Sequence, residues 1–428
     1  MKLNKTIKYQ SFFIYLLPIF IVTGPFLSDS VVTISSIFFL FCVFKNNLYK
    51  YFNNLFFKLF IVFWIYITFN SLFAENIFFS LKSSLFYLRF GIFSILIFYL
   101  IDTNHNFLKN FSKSLFLTFS VVLIDSYFQY FVGHNIFGFV SPQPNRLSSF
   151  FGDEMIVGSF LSRLFPMVMA FGILMTGKGI KYLGILCFSF LILTDVIIFL
   201  SGERTSFGLL IITNLIYILF INKFKLFRII GFIISLMIIF LLVMNDEMVK
   251  DRMIDQTIKE IVIDSDKFEP GLEGFEPTSI KFNNIFTPVH QSHYLTALNM
   301  FYRDKLFGVG PNMFRYECSK IIYSEGDYNC TTHPHNIHIQ ILAETGIIGY
   351  LLFLIPLIYI SIYFIKSLFL NYKIKTILKD YQICLCITFL LTLFPFAPSG
   401  NFFNNWLSIV FFLPVGFYLH AILRKDEY

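Results

Sequence analysis

Long runs of apolar residues constrain the fold of this chain of 428 residues more than any other feature of its sequence. A membrane-spanning helix needs about 20 mostly apolar residues, because the hydrocarbon core of a bilayer is about 30 Å thick. Charged residues make up only 14% of the chain, whereas they form about a quarter of an ordinary soluble domain. The sequence therefore predicts an all-α, polytopic membrane protein of about twelve transmembrane helices. The predicted spans lie near residues 11–27, 30–44, 55–73, 84–101, 114–132, 155–176, 182–200, 206–222, 228–245, 338–365, 380–397 and 403–422.

Lysine and arginine residues between the runs predict the orientation, because cytoplasmic loops carry an excess of both. With the N-terminus inside, the inner connections and the two termini hold 19 of these residues. The short outer connections hold three, which are Lys82, Arg146 and Arg204. Both termini are therefore expected in the cytoplasm. The net charge of +7 follows from this bias and gives no indication of a nucleic-acid partner.

The same topology divides the chain into three parts. Residues 1–245 form a membrane domain of nine spans, residues 246–337 form one long outer segment, and residues 338–428 form spans ten to twelve. In the outer segment, the spacing of apolar residues over 248–262 predicts an amphipathic helix. Residues 268–288 are typical of a loop, since glycine and proline interrupt them.

A second amphipathic helix is predicted further along the outer segment. It begins at Ser292 and ends at Gly308 and Gly310, whose missing Cβ atoms permit a tight turn. Cys318 and Cys330 follow this helix and are the two cysteines outside the predicted spans. An oxidising compartment would allow them to form a disulfide, but only geometry decides whether they are close enough.

Two arginines stand out on the predicted outer side. Arg204, in SGERTSF between spans seven and eight, offers a planar pair of donors that suits a phosphate group. The alternative interpretation is that Arg204 pairs with Glu203 or extends to the membrane interface. Arg146, in the loop PQPNRLSSFFGDEM, is a second candidate phosphate ligand, although a solvated arginine is the more common outcome in a surface loop.

Histidines concentrate just before span ten, in CTTHPHNIH. Pro334 suits the first turn of a helix, which would place His335 and His338 one turn apart on a shared face. A histidine at the aqueous end of a span can accept a proton from a hydroxyl group. Two alternatives stay open. Cys330, His333, His335 and His338 are metal-ligand types whose spacing matches no common zinc pattern, and interfacial histidines can also be purely structural.

These motifs resemble a known family in their order along the chain. ALNMFYRDKLFGVGPNMF, then HPHNIHIQILAETGIIG, with LSGERTSFGLL far upstream, is similar to the O-antigen ligase and polymerase superfamily of bacterial surface-polysaccharide enzymes. The predicted spans, inside termini and long outer loop also resemble these C-type glycosyltransferases. The resemblance implies a multi-pass protein of the bacterial inner membrane with its long loop in the periplasm.

The resemblance also implies roles for individual residues. Arg204 and His335 match the catalytic positions. One departure is that His290, followed by His293, stands where many members have an arginine. Glu344, Gly346 and Gly349 match the opening of the next span. The implied substrate-binding residues are Arg146, His290, His293, Arg303, Gly308, Gly310, Asn336 and His338.

The implied activity is transfer of a glycan from undecaprenyl diphosphate to an acceptor hydroxyl at the periplasmic face. A ligase uses lipid A core as the acceptor and a polymerase uses another lipid-linked glycan, and these motifs do not separate the two. Arg204 and Arg146 would stabilise the departing diphosphate, while His335 would accept or orient the hydroxyl proton. We expect an inverting reaction without metal or cofactor, since the predicted outer side contains no Asp-x-Asp motif.

A transporter of lipid-linked oligosaccharides is the alternative from a different functional class. Twelve spans are common in transporters, but those built from inverted repeats have two similar halves. Here the halves differ, and the ionisable residues gather at one surface, with Arg89 in span four as an exception of open role. We expect Arg204, Arg146 and His335 to share one outward-facing cavity, whereas a closed cavity at mid-membrane would favour transport.

Overall fold

A computed structural model describes residues 2–176, 182–262, 286–326, 328–373 and 377–424, and their regular structure is helical, without β-strands. The helices are α1 (Lys2–Thr23), α2 (Pro25–Asn46), α3 (Leu55–Asn70), α4 (Ile77–Leu85), α5 (Leu88–Thr103), α6 (Phe107–Val132), α7 (Val157–Thr176), α8 (Tyr182–Leu200), α9 (Arg204–Phe220), α10 (Lys225–Asn245), α11 (Glu247–Lys250), α12 (Gln256–Val262), α13 (Pro288–Arg303), α14 (Phe314–Glu317), α15 (Ile337–Lys373), α16 (Asp380–Thr392) and α17 (Asn405–Leu423).

Nine helical segments in the described ranges are long and apolar enough to cross a membrane. Three shorter apolar helices accompany them, at Ser189–Leu200, Arg204–Phe220 and Asp380–Thr392. The predicted class, an all-α polytopic membrane protein, is therefore confirmed. The number twelve and the division of the chain at residues 245 and 337 stay predictions.

The centre of the bundle is formed by helices that protein surrounds on every side. Every side chain from Phe90 to Ile101 of α5 is buried, and α5 packs along α17 while α7 packs along α16. By contrast, only 22% of an 18-residue apolar stretch of α10 is buried inside the protein. A helix that is apolar all round is either buried in a core or exposed to lipid, so α5 is a core helix and α10 presents most of its surface to lipid.

Polar contacts join helix ends at both ends of the bundle. At the end that holds the chain termini, the Asp102 carboxylate accepts hydrogen bonds from the Tyr51 hydroxyl (2.6 Å) and from Arg424 Nε (2.9 Å). At the opposite end, the Asp246 carboxylate accepts from the Tyr130 hydroxyl (2.8 Å). Because successive helices alternate in direction, the α8–α9 turn, α13, the start of α15 and the α16–α17 connection all lie at this second end, called here the outer end.

Arg89 has structural partners in α2 and α17. Its Nε and Nη2 atoms donate to Asp29 Oδ1 (3.1 and 2.8 Å), and Nη2 also donates to Asn405 Oδ1 (2.9 Å). A charge within a membrane protein is tolerated when it is paired, and this pairing joins three helices near the outer end.

The outer segment contains three predicted elements, two amphipathic helices and the loop between them. Residues 247–262 are helical, as three consecutive segments with a π-helical turn at Asp251–Asp255. The predicted loop 268–288 lies mostly outside the described residues. The predicted start at Ser292 is wrong, because α13 begins at Pro288, where proline suits the first helical position and the Thr287 hydroxyl accepts from the backbone N–H of His290 (3.4 Å).

Candidate functional site

The glycine motifs of the outer segment meet at a break in α15. At Gly346 the backbone has φ 63° and ψ −171°, which is not helical. The break exposes backbone groups that bind the turn 305–310. The three hydrogen bonds run from Val309 N to Ala343 O (3.1 Å), from Gly310 N to Glu344 O (2.8 Å) and from Ile347 N to Lys305 O (2.8 Å). The motif GVG thus joins the outer segment to α15.

Replacing Gly346 by alanine is expected to unfold this junction. The added Cβ would overlap the backbone of Leu306 and Phe307, and a left-handed φ is unfavourable for alanine. We expect the free energy of unfolding to fall by about 3 kcal/mol or more, measured by thermal unfolding in detergent.

The matched control is Gly208→Ala in α9, where a Cβ would meet no atom within 4 Å. That variant should be as stable as the wild type or slightly more stable, since alanine is the better helix former. Equal stability of the two variants would contradict the structural role of Gly346.

Glu344 stabilises the part of this junction that follows Gly310 in the chain. Its buried carboxylate accepts hydrogen bonds from the backbone N–H groups of Asn312 (2.9 Å) and Phe314 (3.0 Å) and from Gln340 Nε2 (3.1 Å). A buried carboxylate is stable only when it is fully hydrogen-bonded. Glu344 therefore fixes the turn that precedes α14.

Asn336 caps the start of α15. Its Oδ1 atom accepts from the backbone N–H groups of His338 (3.0 Å) and Ile339 (3.1 Å), and its Nδ2 atom donates to Pro395 O (2.8 Å). Asparagine is a preferred N-cap residue because it satisfies the first amides of a helix. The expectation that Pro334 opens the helix is wrong, since α15 begins at Ile337.

His335 and His338 do not share a helical face, which corrects a second expectation. His335 precedes the helix with a left-handed φ of 57°, so the two side chains leave the backbone in different directions. His338 is buried, with Nε2 3.0 Å from Leu393 O and Nδ1 3.3 Å from the Tyr350 hydroxyl. Its ring is held by protein groups of α15 and the α16–α17 connection.

His335 and three further histidines form a cluster at the outer end, called here the histidine cluster. The centroid of the His335 ring lies 4.2 Å from that of His333, 5.3 Å from that of His293 and 5.5 Å from that of His290. His290 and His293 lie one helical turn apart on α13, while His333 and His335 belong to the segment before α15. The fold thus joins two motifs that are about 40 residues apart in the chain.

Burial and mutual proximity keep the imidazoles of His293, His333 and His335 neutral. Burial, followed by the neighbouring histidines, lowers the pKa of His335 to about 3. Burial and His290 lower the pKa of His293 to about 4. Burial lowers the pKa of His333 to about 4, where the Ser399 carbonyl acts against the shift and Arg315 adds to it. At pH 7 a neutral imidazole has one nitrogen that can accept a proton.

The hydrogen bonds of His333 and His335 differ. His333 Nε2 lies 3.2 Å from Ser399 O, so this nitrogen carries the hydrogen, and Nδ1 accepts from the Thr332 hydroxyl (2.9 Å). His335 is partly exposed, and within the described part of the chain no group hydrogen-bonds to its ring nitrogens. Of the two, His335 is the imidazole that can receive a hydroxyl group from outside.

The arginines and Glu203 form a second group at the outer end, around the α8–α9 turn. Arg204 opens α9, and its Nη1 atom donates to the Thr257 hydroxyl (3.2 Å). Arg146 Nη2 donates to Met155 O (2.8 Å). Burial lowers the pKa of Arg146, Glu203 raises it and the charge of Arg204 lowers it further. The guanidiniums of Arg146 and Arg204 therefore interact electrostatically.

The carboxylate of Glu203 lies at the N-terminus of α7. It accepts from the backbone N–H groups of Gly158 (2.6 Å) and Ser159 (3.0 Å), and from the hydroxyls of Ser159 (2.6 Å) and Ser206 (3.1 Å). Burial raises the pKa of Glu203, while the Ser159 hydroxyl and Arg146 act in the opposite direction. Glu203 therefore ties the turn before Arg204 to α7.

The expected site residues thus fall into several places. His290, His293 and His335 belong to the histidine cluster, and Arg146 and Arg204 to the arginine group. Gly308 and Gly310 belong to the junction at Gly346. Arg303 ends α13 and is exposed about 15 Å along the helix axis from His293. That these residues bind or convert a substrate stays a prediction.

Cys318 and Cys330 are joined by a disulfide, with their Cα atoms 4.9 Å apart. The bridge closes the segment immediately before His333. Because Cys330 is oxidised, it offers no thiolate to a metal, which removes one ligand from the metal site considered above. Among the described residues, no group of three or more histidine, cysteine, aspartate or glutamate side chains is arranged to hold a metal ion.

Comparison with known proteins adds one match. Residues 187–354 match the family model described as O-antigen ligase. The matched segment runs from α8 into α15 and contains Arg204, the histidine cluster and the break at Gly346. A search of curated proteins found no match. The resemblance to the O-antigen ligase and polymerase superfamily is therefore confirmed.

Proposed function

From the match of residues 187–354 to the O-antigen ligase family, we propose that this protein transfers a glycan from undecaprenyl diphosphate to lipid A core. Transfer would take place at the periplasmic face of the bacterial inner membrane, with both chain termini in the cytoplasm. The observation that carries the proposal is His335, a neutral and partly exposed imidazole. It lies at the same end of the bundle as Arg146 and Arg204.

In the proposed reaction, His335 removes the proton from the acceptor hydroxyl. The hydroxyl oxygen attacks the anomeric carbon, the bond from that carbon to the diphosphate oxygen breaks, and the diphosphate leaves with the electron pair. Attack opposite the leaving group inverts the configuration at the anomeric carbon. The product is the glycosylated acceptor, and the proton is held by the imidazole until it passes to solvent or to the diphosphate.

The low pKa of His335 is consistent with a general base that becomes effective only when the substrate binds. Without substrate, a pKa of about 3 keeps the ring neutral but makes it a weak base. A diphosphate brings negative charge, and an opposite charge nearby favours the protonated form of an imidazole. Donor binding should therefore raise the pKa of His335 towards the working pH, where a general base is most effective.

Arg146 and Arg204 are proposed to bind the diphosphate. Guanidinium groups offer paired donors to phosphate oxygens, and fixed positive charge stabilises the negative charge that develops as the diphosphate departs. No divalent metal is required in this scheme. A single donor would have to reach from the arginine group to the histidine cluster, so the proposal depends on both groups facing one substrate.

Analysis of lipopolysaccharide from a deletion strain tests the choice of acceptor. We expect the ladder of glycan-substituted lipopolysaccharide to disappear from gels while long polymer accumulates on the lipid carrier. Core bearing a single repeat would indicate a polymerase and contradict the ligase assignment. An unchanged ladder would contradict both.

A further inference from the structure

The connection between α16 and α17, residues 393–404, lies outside the segment matched by the family model but contacts the histidine cluster. One residue of this connection, Ser399, binds the segment before α15 with three different groups. Its backbone N–H donates to His335 O (2.8 Å), its hydroxyl accepts from Ile337 N (2.9 Å), and its carbonyl lies 3.2 Å from His333 Nε2. Ser399 thus holds both His333 and His335.

These contacts matter because the backbone of His335 is in an unfavourable conformation. Its φ of 57° lies in the left-handed region, which is uncommon for residues other than glycine, although histidine adopts it more often than most. Such a conformation persists only when surrounding contacts hold it. The hydrogen bond from Ser399 N fixes the carbonyl of His335, and the one to Ser399 Oγ fixes the first amide of the following helix.

The connection is itself anchored on both sides of Ser399. Before it, Pro395 O accepts from Asn336 Nδ2 (2.8 Å). After it, Asn401 Oδ1 accepts from Gln340 Nε2 (2.8 Å), and Asn401 Nδ2 donates to Asn312 Oδ1 (2.8 Å). Ser399 therefore has a defined place relative to both α15 and the turn before α14.

We propose that Ser399 is a positioning residue for the transfer reaction, and that its amide, hydroxyl and carbonyl hold His335 and His333 so that the His335 ring meets the acceptor hydroxyl. This inference rests on the proposed function. Ser399 takes no proton and forms no bond to substrate. It acts through His335 and therefore affects the rate of the chemical step. Donor binding depends on the arginine group.

Steady-state transfer by the purified full-length protein tests this inference, with Ser399→Ala, Ser399→Thr and Ser367→Ala compared with the wild type. Ser399→Ala removes the hydroxyl but keeps both backbone contacts. We expect kcat to fall about tenfold, as for other residues that orient a reacting group, and the donor KM to stay within about twofold. Ser399→Thr should restore kcat, because it restores the hydroxyl.

Ser367 is the matched control, a buried serine of α15 whose hydroxyl donates within its own helix to Tyr363 O (2.7 Å). The pH profile separates positioning from loss of folded protein. If the cluster loosens in Ser399→Ala, water reaches His335 and weakens the effect of burial that lowers its pKa. The pKa of His335 should then rise, and the decline of kcat/KM at low pH should move to higher pH. A variant that only loses folded protein would keep the wild-type profile.

Two outcomes would overturn the inference. One is a Ser399→Ala variant with the kcat and pH profile of Ser367→Ala, and the other is a lower kcat in proportion to lost folded protein with an unchanged profile. Full activity of His335→Ala, measured in parallel, would instead refute the proposed base, so the two failures are distinguishable.

Discussion

Replacing His335 by alanine is expected to lower the rate of glycan transfer by about 10²–10⁴-fold, the usual contribution of a general acid–base group. The protein should still enter the membrane and fold. The His335 ring nitrogens have no hydrogen bonds within the described residues, and its backbone contact with Ser399 does not need the imidazole. The effect should therefore appear in kcat, measured with purified donor and acceptor, with little change in thermal unfolding.

The pH dependence of the wild type gives a second readout of the same base. In the free protein the pKa of His335 is lowered to about 3, so the ring stays neutral as the pH falls from 7 to 5. Because kcat/KM reports the free enzyme, it should be nearly constant over this range. A decline of kcat/KM centred near the ordinary histidine pKa of about 6.5 would show that the base does not have the lowered pKa of His335.

The matched control for His335 is His105→Ala. His105 is an exposed histidine between α5 and α6, at the opposite end of the bundle, and its loss should leave transfer unchanged. If His105→Ala and His335→Ala have the same activity, the proposed role of His335 is wrong. If both lose activity together with folded protein, circular dichroism and gel filtration will show it.

Replacing Arg204 by alanine is expected to lower kcat/KM for the lipid-linked donor by about 10²–10³-fold, the usual cost of removing one group that stabilises developing negative charge. Arg204→Lys should recover part of the loss, since lysine keeps the charge but lacks the planar pair of donors. Arg146→Ala should act in the same direction, because the two guanidiniums interact electrostatically. Neither change should alter the position of the acid limb that reports on His335.

The control for Arg204 is Arg424→Ala at the opposite end of the bundle. The Arg424 guanidinium donates to Asp102 (2.9 and 3.3 Å), so its removal measures the effect of losing a paired arginine from a helix end. Transfer should continue in this variant. Normal use of the donor by both Arg204→Ala and Arg146→Ala would show that the diphosphate binds elsewhere.

Much of the architecture could be predicted because it depends on local properties of the chain. Long apolar runs define helices that cross a membrane, and the part of the chain that the structure describes has nine such segments with three shorter apolar helices. The helical spacing at 248–262 also gave a correct prediction. Helix starts were harder to predict, because they depend on which side chain satisfies the first amides. At α13 that side chain is Thr287 and at α15 it is Asn336.

The candidate site could be predicted only in part. Its residue types were visible in the sequence, and His290, His293 and His335 do meet in one cluster. The sequence indicates His333 only as a candidate metal ligand, whereas its ring is the one nearest to His335 in the cluster. The predicted substrate-binding role of Asn336 and His338 stays a prediction, and in the structure their polar atoms bond to protein groups. Ser399 belongs to no recognised motif, and the sequence around it gives no sign of its role.

By itself, the sequence determined the class of this protein, its polytopic helical membrane fold, since the length and apolarity of a segment decide whether it can cross a bilayer. It also determined the resemblance of residues 187–354 to the O-antigen ligase family, since the order of motifs is a property of the chain alone. Only the tertiary structure decided that His335 is partly exposed, with ring nitrogens to which no group in the described residues hydrogen-bonds, and that Ser399 holds its backbone. That decision comes from hydrogen bonds across large separations, such as the 66 residues between His333 and Ser399, and no local pattern specifies which distant groups will meet.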